Sequence, residues 1–211
     1  MASILSELRP TIATLACLGN HDYGLWHPLG WQSRGLAEFL ADQLGSVGVH
    51  TLINESRTFT RGLGRLRFAG TGDYWSSAYK PKLAMADDSS LDRQPTPTIA
   101  LCHNPDAALE LAALGANTVL SGHTHGKSGP HSRVRRALFP QTHLRFVGGY
   151  YRLPGRKHLY VNRGIGNSRR TSASTQPEIT VITLRSGSCM DHWTHPSKKF
   201  DVRKAPALLD V

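Results

Sequence analysis

The sequence predicts an α/β domain, a layered β-sheet flanked by helices, and three observations carry that expectation. Apolar runs of strand length alternate with segments whose apolar residues recur at helical spacing. The apolar runs are bounded by Gly, Pro, Asn or His, the usual punctuation of strand ends. Several runs stop where chemically capable polar residues begin, which is how open sheets present their sites.

In chain order, Ser3 to Leu8 reads as an exposed helix leading into a first strand, Thr11 to Leu18. Ser33 to Leu44 carries Leu36, Phe39, Leu40 and Leu44 at helical spacing. Val49 to Ile53, Leu66 to Ala69 and Thr98 to Cys102 follow as strands. Asp106 to Leu114 reads as a helix opened by the Asn104-Pro105 turn, and Thr118 to Leu120 as the next strand. From Gly126 to Arg145 the chain turns polar, basic and rich in Pro, Ser and His, a surface loop able to border a substrate cleft. Leu159 to Val161 and Ile179 to Leu184 close the strand set, with a second loop, Arg169 to Gln176, between them. The expected organisation is one domain over 1–184 and a flexible basic tail over 185–211.

With 211 residues and 39% hydrophobic content the chain can bury a proper core, which argues against global disorder. No run approaches the roughly 18 apolar residues of a membrane helix, and the start MASILSELRP lacks the apolar block of a secretory signal. The three cysteines, Cys17, Cys102 and Cys189, are widely spaced and odd in number, as expected of reduced thiols in a cytoplasmic protein. An anchor upstream of this chain would escape that reading. The net charge of +10 favours an anionic partner. Its late clusters, Arg133, Arg135 and Arg136, then Arg169 and Arg170, then Lys198, Lys199, Arg203 and Lys204, contain no nucleic-acid module or aromatic platform, so a solvated face or tail is expected. Nothing in the sequence specifies an oligomeric state.

Three constellations could carry chemistry. Gly19-Asn20-His21-Asp22 follows the first strand, so a glycine turn presents an amide oxygen, an imidazole and a carboxylate at a strand end. A plain turn with an Asx cap would look the same. His103 stands at the end of Thr98 to Cys102, where a hydrogen-bonded structural histidine is the ordinary alternative. Ser121-Gly122-His123-Thr124-His125-Gly126 follows Thr118 to Leu120. In an extended segment residues two apart face one side, so both imidazoles would project together and could serve neighbouring metals. Two histidines in a polar loop are the plainer alternative.

Taken in order, GNHD at 19–22, the strand-terminal His103 and GHTH at 122–125 resemble the last three of five signature blocks of calcineurin-like metallophosphoesterases. Leu159 to Gly166 and Pro177 to Leu184 also resemble the closing strands of small bacterial, phosphodiesterase-type members, so the likeness runs over roughly 12–184. The resemblance implies an α/β sandwich of two mixed β-sheets with helices outside. It implies that Asn20, His103 and His123 ligate one divalent ion and His125 a second, the ions being manganese, iron or zinc. It also implies hydrolysis of a phosphomonoester or phosphodiester at a binuclear centre. There His21, oriented by Asp22, would stabilise the transition state or protonate the leaving oxygen.

The departures matter too. Family members open with an Asp-x-His block and then Gly-Asp-x-x-Asp or Asn, and neither stands upstream of Gly19. Gly72-Asp73 lies after GNHD, in the wrong order, and receives no metal role. One ion therefore keeps three ligands and the other only His125, an incomplete binuclear site. An N-terminally shortened form lacking the first strands is expected. The alternative is a noncatalytic phosphate or polyanion binder that has lost the upstream ligands.

Overall fold

The computed structural model describes residues 2–86, 96–126, 145–165 and 177–184. The chain divides into two units, Met1–Val181 and Ile182–Val211, and every element below lies in the first. The expected tail 185–211 and most of the two expected loops, with Cys189 and the late basic clusters, lie outside the described residues.

A short helix α1 (Ala2–Leu5) precedes β1 (Thr14–Ala16), which pairs in parallel with β2 (Val49–Thr51) through the crossover helix α2 (Leu36–Gly45). The other sheet has six strands: β3 (Glu55–Arg61), β4 (Gly64–Gly70), β5 (Thr98–Leu101), β6 (Thr118–Ser121), β7 (Gly149–Leu153) and β8 (Lys157–Val161). Their order is β3-β4-β5-β6-β8-β7, with β4, β5, β6 and β8 parallel and antiparallel β3 and β7 at the edges. Helices α3 (Pro81–Met85) and α4 (Ala108–Ala113) lie in the connections before and after β5. The α/β expectation of two sheets with helices holds.

Burial explains the placement. In β5, Thr98, Ile99 and Ala100 are all buried, as a central parallel strand covered on both faces requires. Helix α4 turns Ala108, Leu111 and Ala112, at i, i+3 and i+4, onto that sheet, where they join Cys102, Val119, Leu159 and Val161 in one core. Asn104 starts this segment by accepting the Asp106 N–H at 3.0 Å, with Pro105 at the first helical position. A second cluster, Leu18, Tyr23, Leu25 and Ala37, with Trp75 against it, packs beneath α2. The sheets meet where Leu52 lies on Gly70: a Cβ at Gly70 would stand 2.3 Å from that of Leu52.

The expected strand Ile179 to Leu184 does not form. The alternation is present, with Ile179 and Val181 exposed while Glu178 and Thr180 point inward. Those inward polar groups dock on Tyr160, Asn162 and Arg163 side chains, and the Glu178 N–H bonds to Gly164 O at 3.0 Å without extending a ladder.

Candidate metal centre

Each candidate side chain sits just past the C-terminal end of a strand. Beyond β1, Asn20–Tyr23 form a 3-10 turn closed by Asp22, whose Oδ2 accepts the Gly19 N–H at 2.8 Å. Asn20 is buried and donates from Nδ2 to Leu25 O at 2.6 Å. Its Oδ1 faces His123 Nδ1 at 3.1 Å.

His103 follows β5, and its carbonyl accepts the Gly122 N–H at 2.9 Å, continuing the β5–β6 register past the strand ends. The GNHD turn lies directly against this imidazole: a Cβ on Gly19 would come within 2.6 Å of the His103 ring. Glycine is there for close approach.

His123 and His125 are not in an extended segment. Both have left-handed backbone, with φ of 67° and 52°, which costs a non-glycine residue about 1–3 kcal/mol. Thr124 holds the turn, its hydroxyl donating to Val147 O and accepting the Gly126 N–H at 3.2 Å. A tight turn past the strand, not the pleat, therefore disposes the two imidazoles.

The histidines share one electrostatic neighbourhood. The His103 and His123 rings lie 5.3 Å apart at their centroids, nearly perpendicular. Burial, aided by the nearby charge of His125 and His21, pulls the His103 pKa down to about 4. Burial, then His103, His125 and His21, does the same to His123, also about 4. Both are thus neutral at physiological pH, the form that offers a lone pair to a metal. His21 is exposed, its ring 4.2 Å from that of Trp26.

As donors, the Asn20 amide oxygen and the neutral His103 and His123 imidazoles fit a divalent ion of the manganese, iron or zinc type. Among the described residues no three His, Cys, Asp or Glu side chains are gathered as a ligand group. The fit is to one ion, and only His125 of the predicted set remains for another. Among the described residues, buried polar atoms without hydrogen-bond partners also stand at or just past these strand ends: Thr71 Oγ1 and Asp73 Oδ2 after β4, Asn104 Nδ2 after β5 and Ser121 Oγ at the end of β6.

Sequence reading missed two aromatic neighbours of this set and gave a third neighbour, Asp73, no metal role. Trp75 sets its ring edge-on to His123 at 4.6 Å, and Trp26 covers His21. Asp73 is fully buried behind the GNHD turn. Burial raises its pKa to about 6, against the N–H groups of Trp75, Asn20 and Tyr74, with Asp22 adding to the rise. It follows the end of β4, so the strand-end rule that found the other blocks points to it as well. A cavity of about 370 Å³, lined by Gln32, Ser33, Arg34, Gly35, Glu38 and Ser77, includes none of the predicted residues.

No protein-family model matches the chain, and no solved structure does. Curated relatives do. The chain is 30% identical over 183 residues to phosphodiesterase YaeI of Escherichia coli, covering 87% of this chain and 62% of that protein. It is 30% identical over 184 residues to the uncharacterized metallophosphoesterase YkuE of Bacillus subtilis, covering 87% of this chain and 60% of the relative. To the UDP-2,3-diacylglucosamine pyrophosphatase LpxG of Chlamydia trachomatis the identity is 26% over 224 residues, covering 84% and 66%. The chain thus spans about three fifths of the length of the first two. With these relatives and the ordered strand-end residues Asn20, His103, His123 and His125, the chain belongs to the calcineurin-like metallophosphoesterase superfamily.

Proposed function

We propose that this domain hydrolyses a phosphomonoester or phosphodiester with the help of divalent metal, held by Asn20, His103 and His123 and, for a second ion, by His125. The carrying observation is the direct approach of Asn20 Oδ1 to His123 Nδ1 at 3.1 Å, beside a neutral His103. Bound there, a divalent cation supplies Lewis acidity and neutralises phosphoryl charge. The chain's own groups do the rest. His21, exposed at the mouth of the turn, would offer a ring N–H to the leaving oxygen. Asp22 closes the turn through the Gly19 N–H and so fixes where His21 stands. Thr124 keeps His123 and His125 in their strained backbone.

The names of the relatives, a phosphodiesterase and a pyrophosphatase, support phosphate-ester chemistry without specifying a substrate. The second reading, a noncatalytic polyanion binder, is favoured by the net charge of +10. Hydrolysis of bis-p-nitrophenyl phosphate with added manganese separates the two. The enzyme reading expects turnover that His21→Ala lowers by about a hundredfold or more while manganese affinity is kept. Absence of turnover by manganese-loaded protein contradicts it, and equal loss of metal and turnover in His21→Ala contradicts the role of His21.

A further inference from the structure

We propose that the loop running from Gly24 to Gly35 is a docking surface for an anionic lipid bilayer, so that the phosphate ester reaching His21 is a membrane-resident one. Three large apolar side chains within six residues stand in solvent: Trp26 at 82% exposure, Leu29 at 77% and Trp31 at 95%. Single exposed apolar residues are ordinary, but a run of them on one loop marks a surface with a partner.

The exposure does not come from a lack of local structure. Gly30 N–H bonds to His27 O at 2.8 Å, Leu29 N–H to His27 Nδ1 at 3.2 Å and Ser33 N–H to Tyr23 O at 2.9 Å. Leu25, between the turn and the apolar run, is buried in the core under α2. The loop is thus tied to the fold while its indoles face outward.

Indole is the side chain best suited to the bilayer interface, with an apolar body and one N–H for the headgroup region. Charge selects the bilayer over a neutral partner: the chain carries +10, and Arg34 is exposed within the same loop. Position gives the docking its consequence. The loop leaves the GNHD turn directly, and Trp26 lies 4.2 Å from the His21 ring, so seating the loop on a membrane places His21 at the lipid surface.

The substrate half of this proposal rests on the phosphoesterase reading; the docking half does not, and the experiment separates them. The full chain is sedimented with phosphatidylcholine vesicles, with and without phosphatidylglycerol, and compared with the double variant Leu29→Ser, Trp31→Ser. Both residues are exposed, so the variant keeps its circular dichroism and its turnover of soluble bis-p-nitrophenyl phosphate. The expected result is binding to phosphatidylglycerol vesicles that weakens with salt, blue-shifts tryptophan emission, and falls about tenfold or more in the double variant. No vesicle binding overturns the proposal, as does equal binding by the variant, which would mean charge alone. Concentration-dependent self-association abolished by the same substitutions also overturns it, in favour of a second copy of this chain. Vesicle binding without turnover would contradict the phosphoesterase reading and leave the docking intact.

Discussion

Asp73 and the two half-buried histidines show how the site shapes the protein's response to pH. His103 and His123 titrate near 4 in the folded chain against an ordinary 6.5, so the unfolded state binds their protons first. Their contribution is intact above about 6.5 and is lost as pH falls towards 4. Asp73 has the opposite sign. Its carboxyl is raised from 3.8 to about 6, so its cost is absent below 3.8 and fully present above 6. Asp73→Asn keeps an acceptor for the Trp75 N–H and removes the buried charge. It should stabilise the protein at pH 7 by on the order of 2 kcal/mol and give no gain near pH 3.5, read as the difference in denaturant midpoint between variant and parent. A gain that does not change with pH would contradict the assignment of charge burial to Asp73. Cys17 and Cys102 lie nearby, and desolvation pushes both thiols up to about 12, reinforced by the Asp73 charge at Cys17 and by Cys17 and then Asp73 at Cys102. Neither is a nucleophile at neutral pH.

At the scale of elements, the turn after β6 is the part most dependent on one side chain. Thr124 ties Val147 O to the Gly126 N–H across two residues with left-handed backbone. Thr124→Val keeps the shape and removes the hydroxyl, leaving a half-buried acceptor and donor without this partner at a cost of about 1 kcal/mol. Because the freed turn is the one carrying His123 and His125, manganese affinity should fall about tenfold along with the melting temperature. Unchanged metal affinity at reduced stability would show that the turn only braces the fold.

The elements legible in the sequence were those with buried apolar runs, such as β5 and β6, and the strand ends that carry His103 and His123 followed from them. Strand β3, Glu55-Ser-Arg-Thr-Phe-Thr-Arg61, was not legible, because it is an edge strand with most side chains in solvent and Phe59 as its one large apolar contact. Its hairpin to β4 turns over Gly62 and Leu63, a two-residue signal that the apolar pattern alone passes over. Strand β7 escaped for a similar reason, being an edge strand whose residues are mostly half-buried. The reverse error, a strand at Ile179 to Leu184, came from real alternation without a ladder to join. Side-chain docking by Glu178 and Thr180 took the place of backbone pairing.

For the molecule as a whole, the parallel strands β4, β5, β6 and β8 bring their ends to one edge, and the turn beyond β1 meets them through Gly19 and His103. Residues some hundred positions apart, Asn20 and His123, come into contact only because of that topology. The order of the three blocks was readable from the sequence; their convergence needed the fold, and so did the aromatic neighbours Trp26 and Trp75. Among the described residues no helix is long and apolar enough to cross a membrane. A ligand that binds only the folded site stabilises it by mass action, so manganese should raise the melting temperature and a chelator should reverse the rise.

The central claim, that Asn20, His103 and His123 together hold a divalent ion, is tested most directly by calorimetric titration of manganese into the parent chain, Asn20→Ala and His123→Ala. Saturable binding in the parent that weakens about a hundredfold or more in both variants, with their folded circular dichroism retained, is the result this structure predicts. Equal affinity in all three proteins would contradict it.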